Sequence, residues 1–229
     1  MAIWGISALS HDASITVVED NQILFAGHSE RYSKKKNDKY LNQEIINEAR
    51  KYGEPDQIVW FEKPLKKKLR QALAGEWGEV KGSFPQKYLQ HCGLNSPVEY
   101  VDHHLSHACG GYFTSGFSHA SILVVDAIGE FVTTSIWTAT GSELKKVFSQ
   151  KYPHSIGLFY SAITHRVGLK PNEEEFILMG MAAYGKPRFY DDLLRDLIDI
   201  SHAPYFELKR NLHMGCLDWM ADTIVTEQD

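Results

Sequence analysis

Cysteine is scarce in this sequence. Cys92, Cys109 and Cys216 are an odd number, widely spaced, with no CxxC pair. That excludes a disulfide framework and suits a reducing compartment. Long hydrophobic runs are missing as well. No stretch approaches the ~18 uninterrupted apolar residues of a membrane-spanning helix. The opening MAIWGISALSHDAS has no basic segment followed by a long apolar run, so no secretory leader is expected and a cytoplasmic location is. Positive charge is not in surplus either: 24 Lys+Arg against 29 Asp+Glu leave a formal net charge of −5. A nucleic-acid backbone is therefore not the expected main partner, because phosphate binding needs spare cationic side chains. The short runs Lys34-Lys35-Lys36 and Lys66-Lys67-Lys68 could meet a local anion, although a solvated face is the simpler reading.

What is present is an ordinary globular composition, 43% hydrophobic and 23% charged over 229 residues, enough for one large domain or two small ones with a sizeable core. Three strands open the chain: AIWGISAL, ASITVVED and, after the Asp20-Asn21 turn, QILFAGHSER. LNQEIINEARKYG spaces Leu41, Ile45, Ile46 and Ala49 as a helix, with Gly53 as its stop. QIVWFE is a buried strand, PLKKKLRQALAG a helix opened by Pro64, PVEYV a strand, and the segment after His103 a helix through Phe113. Trp4, Phe25 and Trp60 are expected in the core.

At Ala120 the pattern restarts. ASILVVDAIGE is a strand running into a polar, glycine-bearing loop; FVTTSIWTATGSELKKVFSQ is a hairpin turned at Thr140-Gly141-Ser142; SIGLFYSAITHRVGL is a helix. EEEFILMGMAAYGKP and a helix over FYDDLLRDLIDI follow. The order strand, short polar loop and two hairpin strands occurs twice, which points to an approximate internal duplication. The expected architecture is α/β with lobes at 1–118 and 119–229. The second lobe still owes two strands, so the chain reads as the front part of something longer.

The stretch VDHHLSHACGG sets His103, His104 and His107 within five positions. On a helix, residues four apart share a face, so His103 and His107 can converge on one ion while His104 points aside. The zinc-protease pattern needs Glu directly after its first histidine; His104 stands there instead, which disfavours a metalloprotease. Surface or capping histidines explain the spacing equally well until a third ligand is found. Asp126, ending the strand SILVVD, is a candidate for that ligand, with a turn carboxylate as its alternative. Two histidines and a carboxylate suit iron, manganese or zinc.

Five stretches, taken in order, resemble the front part of the NodU/TobZ carbamoyltransferase family: SHDAS (10–14), SERYSKKKND (29–38), DHHLSHA (102–108), VVDAIGE (124–130) and SIGLFYSAITHRVGL…MGMAAYGKP (155–187). The resemblance implies a two-lobed fold like actin, sugar kinases and chaperone ATPases (RNase H-like), with the second lobe incomplete here. It is similar to the tRNA threonylcarbamoyl-transfer enzymes and to HypF, whose HxxxH metal helix maps onto His103 and His107. It also implies a reaction in which ATP and carbamoyl phosphate give a carbamoyl-adenylate, and the carbamoyl group passes to the hydroxyl of a small-molecule acceptor.

Transfer to an alcohol needs a base near the hydroxyl and a cation to hold developing charge. His11 matches the family's HDAS histidine and is the expected base; apart from the resemblance it reads as a turn residue. The metal at His103, His107 and Asp126 is expected to be a divalent ion, iron first, with zinc or manganese as alternatives. Asp126, Gly129, Glu130, Gly157, Gly180 and Gly185 are expected near the nucleotide, each glycine otherwise an ordinary turn or packing residue. Asp12, Arg31 and Lys35 are expected at the acceptor end of the cleft. His28, His91, His119, His154, His165, His202 and His213 have no assigned role.

The chain departs from the family pattern at Ser10 and Ala127, where glycines are expected, and in MGMAAYG for MGLAPYG. The family's later metal aspartate and its adenylate-forming YrdC-like domain are expected beyond residue 229, so a downstream or separate partner would complete the reaction. Two other functions fit the same fold: a non-catalytic ATP- or partner-binding module, and a small-molecule kinase in which the HxxxH has no task.

Overall fold

A computed structural model describes residues 1–73, 77–82 and 84–212. Cys216 and His213 lie outside the described residues. The chain divides into two compact units, Met1–His107 and Ala108–Asp229. The sequence boundary at residue 118 falls further along, after the histidine helix rather than inside it.

The first unit is built on β1 (Ile3–Ser7), β2 (Ser14–Glu19), β3 (Gln22–His28), α1 (Glu30–Ser33), α2 (Gln43–Arg50), β4 (Gln57–Trp60), α3 (Pro64–Leu73), α4 (Trp77–Val80), α5 (Pro85–His91), β5 (Val98–Tyr100) and the start of α6 (His103–Phe113). Its five strands pair in the order β3-β2-β1-β4-β5. β1 is antiparallel to β2 and parallel to β4, which is parallel to β5. Strand alternation decides the faces: Trp4 and Ile6 of β1, Ile15 and Val17 of β2, and Ile58 and Trp60 of β4 all turn into one core. α2 lays Ile45, Ile46 and Ala49 on that core, and Leu89 and Leu94 extend it. Asn42 caps α2 by accepting from Ile45 N at 2.9 Å. Gly53 follows at φ +131°, a backbone conformation that favours glycine, and its carbonyl accepts from the Trp4 indole at 3.0 Å. Trp4 and Trp60 are core residues as expected, while Phe25 is half-buried and stacks on Tyr52 with ring centroids 5.5 Å apart.

The second unit contains β6 (His119–Gly129), β7 (Val132–Thr140), β8 (Glu143–Lys151), α7 (Ile156–Arg166), α8 (Glu175–Ala182), α9 (Tyr190–Asp196), β9 (Ile198–Asp199) and β10 (Glu207–Leu208). β6, β7 and β8 form an antiparallel meander turned at Gly141, φ +59°. Ala162 of α7 packs with Ile198, Leu208 and Leu212 in a small second core. Among the described residues, no helix is long and apolar enough to cross a membrane.

Three sequence expectations are corrected. The third strand ends at His28 rather than Arg31, because Ser29 is buried, its N–H bonds Ala13 O at 2.7 Å, and the chain then coils into α1. The polar loop expected at 126–130 is, as far as Gly129, a bulged continuation of β6, which resumes pairing at Gly129 opposite Val132. The helix expected over 189–200 stops at Asp196, because Ile198 and Asp199 pair with β10 instead.

Candidate metal and transfer site

The histidine motif lies on α6, whose first turn is tied down twice. Ser106 N donates to Asp102 O at 2.9 Å, and the Ser106 hydroxyl donates to Phe61 O at 2.8 Å, just past the end of β4. Spacing then does the rest. His104 is fully buried, and His103 and His107 meet on one face with their Nε2 atoms 3.0 Å apart. Two imidazole lone pairs facing each other at that distance repel unless a proton or a cation is shared between them. For bonds of about 2.1 Å, a 3.0 Å separation subtends roughly 90° at a common ion. The donor chemistry and spacing therefore fit a divalent transition metal.

Behind this pair sits Glu62, only 5% exposed. Its Oε1 accepts from Lys67 Nζ at 2.8 Å, and its Oε2 lies 3.9 Å from His103 Nδ1. Phe61 packs against the His103 ring at 5.5 Å between centroids. Glu62 was not singled out by sequence. The usable signal was the one applied at Asp126: an acid ending an apolar strand, here QIVWFE.

The HDAS loop, residues 8–13, holds Leu9 and Asp12 at positive φ (+69° and +47°). The Asp12 carboxylate accepts from His11 Nδ1 at 2.9 Å, which keeps the ring proton on that nitrogen and leaves Nε2 as the basic atom. Leu9 N bonds Lys39 O at 2.8 Å and Ala13 N bonds Asp38 O at 2.7 Å, so the loop is laced to the end of the basic segment. Leu9, Lys39, Trp60, Glu62 and Lys67 border a common cavity of about 140 Å³. Arg31, on α1, and Lys35, on the turn after it, are exposed.

In the second unit, Asp126 lies at the β6 bulge, where its Oδ1 accepts from Ala127 N at 2.7 Å. Ser155 N-caps α7 by accepting from Leu158 N at 3.0 Å, and its hydroxyl donates to Ala127 O at 2.6 Å. Gly157 follows, and a side chain there would meet Ala127 Cα and N at 2.6 Å, so close packing against β6 accounts for this glycine. Gly129 and Glu130 are buried at the turn into β7, with Glu130 at φ +57°. Gly180 lies on α8 in open space, and Gly185 follows the helix. A larger cleft of about 480 Å³, lined by Tyr152, His154, His202 and Tyr205 among others, contains none of the expected site residues. His154 has a structural task, accepting from Leu208 N at 3.1 Å.

The family described as carbamoyltransferase N-terminus matches residues 61–229. The chain belongs to that family. It is 35% identical over 235 residues to the uncharacterized protein sll1178 of Synechocystis sp., covering 90% of this chain and 38% of that protein. It is 27% identical over 218 residues to the nodulation protein NolNO of Sinorhizobium fredii, covering 83% of this chain and 30% of that protein. The nodulation protein NolO of Bradyrhizobium diazoefficiens is 27% identical over 100 residues. The chain thus spans about a third of the length of these first two relatives.

Proposed function

We propose that the chain is the group-transfer part of an O-carbamoyltransferase with a two-lobed, actin-like nucleotide fold. A carbamoyl-adenylate, made from ATP and carbamoyl phosphate by a YrdC-like partner domain, is the donor, and a hydroxyl of a small-molecule acceptor receives the group. His103, His107 and Asp126 would hold a divalent ion, iron first among the candidates. When bound, that ion supplies positive charge for the adenylate phosphate or the carbamoyl oxygen.

His11 is the base in this reading. Its Nε2 takes the acceptor's proton as the hydroxyl oxygen bonds the carbamoyl carbon; the bond from that carbon to phosphate breaks, and AMP leaves. Asp12 holds the His11 tautomer that this requires. The imidazole is reachable, with its side chain 75% exposed. Arg31 and Lys35 would meet anionic groups at the acceptor end, and Gly129, Glu130 and Gly180 would border the nucleotide.

Family membership supports the reaction class, and the observation that carries the reading further is the 3.0 Å approach of the His103 and His107 Nε2 atoms. The test is metal content together with transfer, assayed with the adenylate-forming partner supplied. Wild-type protein should retain about one divalent ion per chain, and the His103→Ala/His107→Ala double variant should lose it. His11→Ala should keep the ion and lower transfer roughly 10²–10⁴-fold. Wild-type protein that takes up no divalent ion refutes the reading; ATP binding without transfer makes the chain a binding module, and ADP in place of AMP makes it a kinase.

A further inference from the structure

The metal reading leaves a buried acid without a task. Glu62 sits just beyond β4, out of solvent, with its two oxygens divided between two neighbours: Oε1 toward Lys67 Nζ at 2.8 Å and Oε2 toward His103 Nδ1 at 3.9 Å. The second distance is too long for a hydrogen bond and is a contact between charge and ring nitrogen. Its direction still matters. A carboxylate facing Nδ1 favours the imidazole form that carries its proton on Nδ1. That form leaves the Nε2 lone pair bare, and Nε2 is the atom that faces His107. The local fold preserves this order, since the Ser106 hydroxyl bonds Phe61 O, Phe61 packs on the His103 ring, and Lys67 holds the far oxygen of Glu62.

We propose that Glu62 is the positioning residue of the His103 ligand: it selects the Nδ1–H tautomer and the ring orientation, so that Nε2 is presented to a divalent cation shared with His107. A carboxylate that accepts a hydrogen bond from a metal-ligating imidazole typically raises affinity 10- to 100-fold, and Glu62 Oε2 would act in this way by closing its 3.9 Å separation from His103 Nδ1 when the ion binds. Lys67 engages only the far oxygen, Oε1, and leaves Oε2 to the ring.

This inference rests on the metal reading, and the experiment separates the two. Cobalt(II) is titrated into purified wild type, Glu62→Gln, Lys67→Met and the Glu62→Gln/Lys67→Met double variant, following the visible absorption of the bound ion, with thermal unfolding of each apo-protein as the folding check. Glu62→Gln should weaken cobalt binding 10- to 100-fold and alter the visible bands with an apo melting temperature near wild type. Lys67→Met breaks the ion pair but leaves the carboxylate on the ring, and should stay within about threefold of wild type. The double variant leaves no unpaired buried charge and should bind as weakly as Glu62→Gln, which keeps the test open if the single variant folds poorly. Equal weakening by Lys67→Met, or wild-type affinity and spectrum in both Glu62 variants, overturns the assignment while the metal reading stands. Wild-type protein that binds no cobalt ends both.

Discussion

The two units follow the same opening plan and end in different states of closure. In the first, β1 is paired on both sides, antiparallel to β2 and parallel to β4, and its Trp4 and Ile6 are buried in a core shared with α2 and α5. In the second, β6 takes the place of β1 and β7 that of β2, but among the described residues β6 is paired with β7 alone. Its run SILVVD buries Val124, while Leu123 and Val125 remain 66% and 49% exposed. An apolar residue at every position is the mark of a strand covered on both faces. The first unit covers β1 with its own elements; β6 of the second, as described, carries apolar side chains that its own elements do not bury.

The most forceful way to test this contrast is to cut one large apolar side chain from each of the two sheets. Ile15→Ala empties a fully buried position in the first unit and should cost about 2–5 kcal/mol. Leu123→Ala removes a mostly exposed side chain and should stay within about 0.5 kcal/mol. Urea unfolding of the two variants decides it, and equal losses would erase the distinction. Glycine substitutions sharpen it within the second unit. Gly157→Ala forces a methyl to 2.6 Å from the Ala127 backbone and should destabilise by about 1–3 kcal/mol. Gly180→Ala, which meets nothing within 4 Å on α8, should be neutral or stabilise by up to about 1 kcal/mol. Thermal melts resolve the pair.

The smallest effect is a pH dependence confined to the second unit. Burial works to raise the Glu175 carboxyl, but hydrogen bonds from Asn172 N and the Ser161 hydroxyl outweigh it, and the group lies below its ordinary value. A depressed carboxyl stabilises the fold above its unfolded-state pKa, and that contribution fades as pH falls through the folded-state value. Acid titration should therefore loosen the turn at 172–175 before the first sheet responds. Glu175→Gln should remove that early step, as read by amide exchange of residues 172–178.

Much of this was legible from local pattern. The period-two strands of the first sheet, the hairpin at Gly141 and the bounds of α6 all follow from spacing, because in each the residues that decide the conformation are neighbours in the chain. The HxxxH face was readable for the same reason. What escaped was set at a distance. α1 interrupts an alternating run because Ser29 is bonded to Ala13 across the sheet. β9 breaks off a helical period because Leu208 pairs with Ile198. Glu62 gains meaning only once Lys67 and His103 are brought beside it. Asp126 was named from its strand end, and the bulge that turns its carboxylate onto the next N–H was not visible in the letters.

The lacing of residues 9 and 13 to residues 39 and 38 has a mechanical corollary. Those two backbone bonds rivet the imidazole-bearing turn to the tail of the lysine-rich stretch, so neither can shift far without dragging the other. A displacement of residues 38 and 39 would therefore carry the His11 ring along with it.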